Sequence, residues 1–270
     1  MTSAVLNYWD IALATLLLIF NAALSLAFRL GLGKRLLIAG TRMVVQLTMV
    51  GLVLKALFAL ASPLYTGLAA LAMVLFAGRE AMARQERRFE GWWSYGIGTG
   101  SMMAAGLIVT VFGLTTQVHA DPWYDPRYAL PILGMILGNT MNGVSLGLER
   151  LISGAVLQRA AIEAQLMLGA DIKQAMRGVM RDAIRAGLIP IINSMSAAGL
   201  VSLPGMMTGQ ILAGIAPVEA VKYQILIIFL IAGGTGLGTF VAVIAASRRL
   251  TDNRQRLRLD RLSPKKPPDA

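Results

Sequence analysis

Long apolar stretches alternate with short polar connections along most of the chain. Seven stretches approach the roughly 20 apolar residues that a helix needs to cross a bilayer. They are residues 5–28, 36–60, 62–78, 95–115, 128–148, 187–210 and 222–246, of which the third is short and the sixth is irregular. The pattern predicts an all-α, polytopic membrane protein with about seven transmembrane helices. The one long connection, residues 149–186, lies between the fifth and sixth stretches.

Positive charge lies in every second connection between these stretches. The connections after the first, third and fifth stretches are rich in Lys and Arg, as is the tail. Of the remaining connections, one contains a single basic residue, Arg127, and the others contain no Lys or Arg. Because basic loops stay in the cytoplasm, the pattern predicts an N-terminus outside and a C-terminus in the cytoplasm. Residues 1–247 then form a transmembrane domain that includes the cytoplasmic segment 149–186. Residues 248–270 form a basic cytoplasmic tail, which we expect to be partly disordered.

The composition is typical of a membrane protein and argues against other classes of protein. Hydrophobic residues make up 56% of the 270 residues and charged residues only 14%, far from the balance of a soluble domain. The net charge of +11 would suit nucleic acid, but no binding motif or aromatic platform lies among the basic residues. We therefore expect membrane lipid, and no nucleic acid, as a partner. The absence of Cys and the single His119 exclude thiolate sites and a multi-histidine metal centre within one chain.

The cytoplasmic segment between the fifth and sixth stretches has the pattern of two short helices. The second is amphipathic from Ile172 onward, and four cations recur on one stripe at every fourth position: Lys173, Arg177, Arg181 and Arg185. Asp171 and Gln174 have the spacing of a capping box at its start, and Gly169 suits the left-handed end of the helix before it. Two interpretations fit equally well: the segment docks into a soluble partner, or it lies on lipid.

A short motif in this segment favours a protein partner. Glu163, Ala164 and Gly169 have the spacing of the Glu-Ala-Ala…Gly loop through which many ABC transporter permeases contact their ATPases, although residue 165 is Gln. The chain contains no complete phosphate-binding loop of the G-x-x-x-x-G-K-[ST] type. We therefore expect no enzymatic activity and no cofactor in this chain, with ATP and Mg²⁺ bound by a separate partner. The predicted coupling residues are Glu163, Ala164, Gly169, Ala170, Asp171, Lys173, Arg177 and Arg181.

Several long segments, in order along the chain, carry a resemblance to a known family. The segments "RMVVQLTMVGLVLK", "PILGMILGNTM", "LGADIKQAM", "RDAIRAGLIP" and "LPGMMTGQILAGIAPVEAVKYQI" closely resemble the FetB/YbbM family of ABC transporter permeases. The resemblance implies a multi-pass permease of the bacterial inner membrane that pairs with a cytoplasmic ABC ATPase and works as a homodimer. It also implies iron export as the transport function, while plant relatives of the family are linked to aluminium tolerance.

The irregular sixth stretch predicts a break in a membrane helix. Pro204, Gly205 and Gly209 weaken a helix, and a broken backbone at membrane depth must be buried in protein or line a watery cavity. We expect a bend or half-helix there, near a transport path or outer gate that Met206, Met207 and Thr208 face. Thioethers suit soft metals and iron prefers harder donors, so packing is the favoured role for the two methionines.

Two further groups of residues are weaker candidates. Asn139, Met141 and Asn142 lie deep in the fifth stretch beside glycines, where close helix packing is the favoured explanation and a polar lining of the path is the alternative. His119, Asp121 and Asp125 in the outer loop are candidate ligands of a divalent metal ion. A proline follows each aspartate directly, so turn formation is favoured there.

The sequence leaves the transported species open. The leading hypothesis is an ABC permease that exports a metal ion, with iron favoured by the resemblance. The alternatives are an ABC permease for another solute, such as a metal chelate or a sugar nucleotide, and a transporter driven by an ion gradient. The last needs titratable groups deep in the spans, and few acidic residues lie there.

Overall fold

The computed structural model describes residues 7–60, 62–118, 121–252 and 254–264, and these are mostly helical. The α-helices are α1 (Tyr8–Ala27), α2 (Gly33–Leu60), α3 (Pro63–Ala83), α4 (Trp93–Gly113), α5 (Pro126–Leu157), α6 (Arg159–Met167), α7 (Ile172–Ala197), α8 (Gly205–Leu212) and α9 (Pro217–Arg249). A π-helical turn, Leu114–Val118, extends α4, and a short 3₁₀ helix, Leu259–Arg261, lies near the C-terminus.

Helices α1 to α5 and α9 are each long and apolar enough to cross a membrane. The prediction of an all-α, polytopic membrane protein is confirmed. Within the described residues six helices meet this criterion, one fewer than the seven predicted stretches. The difference lies at residues 187–210, which are not one continuous helix.

Helix α7 joins two segments that the hydropathy pattern separates, the cytoplasmic segment and the sixth apolar stretch. It runs unbroken for 26 residues from the cytoplasmic segment into the sixth predicted span, passing Pro190 without a break. The chain leaves the helix only at residues 198–204, where Gly199 has a φ of +85° that favours glycine. Pro204 is the N-cap of α8, so the predicted break is present and a half-helix begins at Gly205.

The contacts divide the chain into two compact units. The first contains α1 and α2, which approach closely where Gly33 faces the backbone carbonyl of Ala22 and Gly40 faces Leu18. The second contains α3 to α9 and the described residues after them. This division falls after residue 60, whereas the sequence analysis placed a boundary at residue 247.

In the second unit, α5 lies at the centre and packs against α3, α4, α7 and α9. Small residues let three of these helices approach each other: Gly143 of α5 faces Gly187 of α7 and Thr239 of α9, and Gly147 faces Ala183 and Val243. The order of these contacts shows that α5 and α9 run parallel and that α7 runs antiparallel to both. The apolar core of this unit includes Leu133, Leu148, Leu151, Ile152, Met176, Val179 and Val243, all of them buried.

The two ends of the second unit differ in charge. One end joins the C-termini of α3, α5 and α9 to the N-termini of α4 and α7, and it holds nearly all of this unit's Lys and Arg. Among the described residues of the unit, only Arg127 and Lys222 lie at the opposite end. Aromatic side chains mark both ends, with Trp92, Trp93 and Tyr95 at the basic one and Trp123, Tyr124 and Tyr128 at the other. We call the first the basic end.

The residues after α9 form a folded segment, residues 250–252 and 254–264, which we call the C-terminal strap. Leu262 is buried and pairs with Phe89 through an antiparallel bridge. Ser263 exchanges hydrogen bonds with the backbone of Arg88 in the α3–α4 connection. The strap is therefore held by contacts distant in sequence, where the composition suggested only a polar tail.

Candidate functional site

The α6–α7 elbow, residues 159–174, is closed by the local signals that the sequence contains. Gly169 has a φ of +92°, and the amides of Gly169 and Ala170 donate to the carbonyls of Leu166 and Gln165, as in a Schellman C-cap. The Asp171 carboxylate accepts from the Gln174 amide at 2.8 Å, and the Gln174 side chain accepts from the Asp171 amide at 3.3 Å. The predicted helix end and capping box are confirmed.

A long-range contact also holds the elbow. The side-chain oxygen of Gln255, in the C-terminal strap, accepts a hydrogen bond of 2.7 Å from the Ile172 amide. Because the first amides of a helix have no partner within the helix, this bond satisfies a donor that the capping box leaves free. The strap thus ties the start of α7 to the α3–α4 connection, which it also contacts.

The tip of the elbow combines a fixed base with an exposed apolar surface. Ile162 and Ile172 are buried and anchor the elbow to the core of the second unit. Met167 and Leu168, by contrast, are 82% and 89% exposed. Ala164 is also exposed, and the partly exposed Glu163 forms an ion pair of 2.8 Å with Arg159. An apolar tip on a rigid bend is typical of a surface that docks on another protein.

The basic stripe lies elsewhere. Lys173, Arg177 and Arg181 are exposed along α7 and line a groove between α7 and α9, away from the apolar tip. The predicted coupling residues therefore fall into two surfaces: the elbow, with Glu163, Ala164, Gly169, Ala170 and Asp171, and the groove, with the three cations.

At the opposite end of the unit, α5, α8 and α9 enclose a cavity of about 420 Å³, which we call the outer cavity. It is lined by Arg127, Tyr128, Pro131, Ile132, Met135, Met206, Gln210, Ile215, Glu219 and Tyr223. Met206 contributes to this lining, whereas Met207 is buried among the helices with 8% exposure. The Thr208 hydroxyl donates to the Pro204 carbonyl, and Gly209 faces open space on the exposed side of α8.

Apart from the Arg127 guanidinium, the polar side chains of the outer cavity supply oxygen atoms. The Gln210 side-chain oxygen is buried with no hydrogen-bond partner among the described residues. Glu219 lines the cavity and pairs with Lys222 at 2.8 Å, and the two tyrosines supply phenol groups. Carboxylate, carbonyl and phenol oxygens are hard ligands, and this set differs from the thioether set that Met206 and Met207 would have made.

Sequence reasoning did not assign Tyr128, Glu219 and Tyr223 to this site. Tyr128, Pro131 and Met135 recur at helical spacing on α5, and Glu219 and Tyr223 lie one turn apart on α9. The sequence shows this periodicity. Only the tertiary structure shows that α5, α8 and α9 line one cavity.

The three candidates of the fifth stretch do not line the outer cavity. The Asn139 amide donates to the Met135 carbonyl one turn earlier, at 2.9 Å. Met141 is partly buried against the core, and Asn142 is exposed and accepts a hydrogen bond from Arg84. The structure therefore gives each of these side chains a packing or hydrogen-bonding role.

Of the three outer-loop candidates, the structure describes Asp121 and Asp125. His119 lies outside the described residues. Asp121 is exposed, and the Asp125 carboxylate caps α5 by accepting from the Arg127 amide at 2.9 Å. Within the described part of the chain, no group of three or more His, Cys, Asp and Glu side chains is placed to hold a metal ion.

Comparison with known proteins adds a family and several relatives. The profile of a family described as "Uncharacterised protein family (UPF0014)" matches residues 8–251. "UPF0014 membrane protein slr1647" of Synechocystis sp. is 39% identical over 84% of this chain and 87% of its own length. "Probable iron export permease protein FetB" of Escherichia coli is 35% identical over 95% of this chain and 96% of its own. "Protein ALUMINUM SENSITIVE 3" of Arabidopsis thaliana is 30% identical over 86% and 82%. No solved structure matches the chain significantly.

Proposed function

Since this chain belongs to the UPF0014 family of membrane proteins, we propose that it is the permease subunit of an ATP-driven exporter of iron. The observation that carries the proposal is the 35% identity, over 95% of the chain, to a relative named as an iron export permease. The aligned residues include both the elbow and the outer cavity, so we assign both surfaces to the proposed exporter.

The α6–α7 elbow is the proposed contact with the ATPase. We place the basic end of the second unit in the cytoplasm of a bacterial cell, on the inner face of its inner membrane, because basic connections stay there. The elbow then projects Met167 and Leu168 toward a soluble partner. Its bend is fixed by Gly169 and by the Asp171 cap, so a movement of the ATPase is passed to α7 as a rigid body.

The energy source lies in the partner. ATP and Mg²⁺ bind the separate ATPase subunit, and this chain carries out no bond chemistry. Two ATPase subunits act together in the proposed complex, so the permease works as a homodimer. Helix α7 is continuous from the elbow past Pro190 to the residues just before α8, and this links the ATPase contact to the outer cavity at the other end.

The outer cavity is the proposed release side of the path. Its oxygen donors, Glu219, Tyr128 and Tyr223, suit a hard cation, and iron prefers such donors to thioethers. The break between α7 and α8 places Met206 at the wall of this cavity, where a flexible side chain can pack in more than one position. The break is thus the proposed gate hinge, with Met206 and Met207 as packing residues.

The test is ATP hydrolysis by the permease co-purified with the ATPase of its host. We expect stimulation by iron that exceeds stimulation by calcium at equal concentration. Leu168→Glu should abolish co-purification, since it places a charge on the apolar tip. Arg254→Gln, which changes net charge by the same amount at another exposed position of the basic end, should leave it intact. If an ATPase binds but iron does not stimulate its ATP hydrolysis, the transported solute is not iron. If no ATPase co-purifies, a transporter driven by an ion gradient is favoured.

A further inference from the structure

A polar groove lies between α7 and α9 at the basic end, with a volume of about 910 Å³. We call it the basic groove. Its lining residues come from α7, from the last turns of α9 and from the C-terminal strap. Four of them are cations: Lys173, Arg177, Arg181 and Arg248.

Among the described residues, these four cations have no partner of opposite charge. Lys173, Arg177 and Arg181 follow one another at single turns of α7, and Arg248 faces them from the antiparallel helix α9. In the part of the chain that the structure describes, none of the four forms an ion pair, and all are exposed. The one carboxylate in the lining, Asp252, is already engaged by Arg256 at 2.8 Å and by Arg258 at 3.7 Å. The groove therefore presents an uncompensated positive charge.

The character of the groove changes along its length. At the end next to the strap its walls are polar, with Thr251 and Gln255 beside the first cations. Toward the middle of the helices the walls are apolar, formed by Met180, Ile184, Phe240 and Ile244. Phe240 and Ile244 belong to the helix α9 that is apolar enough to cross a membrane, and both are partly exposed. A ligand that fills the groove must have an anionic end and an apolar end.

The position of the groove agrees with such a ligand. Arg248 is in the last turn of α9, and the neighbouring Arg249 stacks on the Trp93 ring at 4.3 Å. Tryptophan and arginine are enriched where a membrane helix meets the headgroups. The cationic part of the groove thus lies at headgroup depth and the apolar part at acyl-chain depth.

We propose that the basic groove binds an anionic phospholipid of the cytoplasmic leaflet. Its phosphate sits among Lys173, Arg177, Arg181 and Arg248, and an acyl chain lies along Phe240 and Ile244. Basic pockets between membrane helices on the cytoplasmic side are suited to anionic headgroups. A soluble protein partner would match the cations but not the apolar half, because that half lies at bilayer depth.

Native mass spectrometry of the protein released from nanodiscs tests the proposal without iron or ATPase. The nanodiscs contain equal amounts of phosphatidylglycerol and phosphatidylcholine. The test variant is Arg177→Gln/Arg181→Gln. The control is Arg185→Gln, which neutralises one cation, the next of the same stripe, outside the groove. Gln is a good helix former and the sites are exposed, so folding should be preserved. Arg177→Lys/Arg181→Lys keeps the charge.

We expect the wild-type protein to retain phosphatidylglycerol in preference to phosphatidylcholine. The double Gln variant should bind it about 30-fold more weakly, as follows from ~1 kcal/mol for each of two cations near a membrane surface. Arg185→Gln and the double Lys variant should stay within about 3-fold of wild type, a difference of less than one cation's contribution. Millimolar inorganic phosphate should not displace the lipid, because it lacks the apolar end.

Four results would overturn the proposal. Equal retention of both lipids would show no site for an anionic headgroup. A loss of about 5-fold in Arg185→Gln, the full contribution of one cation, would show diffuse attraction to the surface. Unchanged lipid retention in the double Gln variant, together with a loss of ATPase in the separate co-purification assay, would make the groove a protein-docking surface. Displacement of the lipid by phosphate would make it an anion site.

Discussion

Replacing Gly187 with Ala should destabilise the contact at which α5, α7 and α9 meet. A Cβ atom at Gly187 would lie 2.6 Å from the Gly143 carbonyl oxygen and 2.6 Å from the Thr239 methyl group. Carbon atoms in good contact are about 3.5–4.0 Å apart, so neighbours on two helices must move by roughly 1 Å. One of them is backbone and cannot rotate away.

The magnitude follows from two opposing effects. Overpacking of a tight core costs about 1–3 kcal/mol, and a backbone neighbour places this site near the upper end of that range. Ala gains up to ~1 kcal/mol over Gly as a helix former. We therefore expect a net loss of about 2 kcal/mol in the free energy of unfolding. For a chain of this size that corresponds to a melting temperature lower by about 4–8 °C.

Thermal unfolding in detergent, followed by tryptophan fluorescence, measures this change. Gly178→Ala is the matched control, because a Cβ at Gly178 of the same helix has no heavy atom within 4 Å among its surroundings. That variant should melt at or above the wild-type temperature. Thr239→Ser added to Gly187→Ala removes the methyl contact and leaves the carbonyl contact, so it should recover only part of the loss. A Gly187→Ala protein as stable as Gly178→Ala would refute the reasoning.

Three further predictions concern the ends of the second unit. Asp171→Ala removes the helix cap and should lower the free energy of unfolding by about 1 kcal/mol, measured by thermal unfolding. It should also lower the stimulation of the ATPase, measured by phosphate release. The two hydrogen bonds from Arg258 lower the pKa of Asp260 from 3.8 to about 2. They therefore stabilise the folded strap fully above pH about 4, and this stabilisation is lost as the pH falls through about 2. Hydrogen exchange of the strap should rise there, and Asp260→Asn should abolish that pH dependence. Met206→Leu/Met207→Leu should preserve transport, and a selective loss of metal binding would contradict their packing role.

The helix ends of the elbow could be predicted because their signals are local. A capping box needs Asp171 and Gln174 three residues apart, and a left-handed C-cap needs a glycine at position 169. Both depend on backbone groups within one turn, so the sequence specifies them without knowledge of distant contacts. The break before Gly205 follows from the same kind of information.

The length of α7 could not be predicted in the same way. Its first half has a basic stripe and its second half is apolar, so hydropathy alone predicts two separate elements. The structure keeps one helix through Pro190 because buried residues on a single face, from Ile172 to Ile191, pack continuously against neighbouring helices. Packing overrides a local change in polarity, since most helical stability in proteins comes from tertiary contacts.

The sequence by itself determined that this chain crosses a membrane, that its charges favour one end and that its elbow bends where it does. Each of these follows from the composition of a continuous segment or from residues within one helical turn. Only the tertiary structure decided that Gln255 caps α7, that Leu262 is buried beside Phe89, and that α8 completes a cavity between α5 and α9. These contacts join residues far apart in the chain. Hydropathy and spacing act along one helix, and they do not specify which faces of different helices meet.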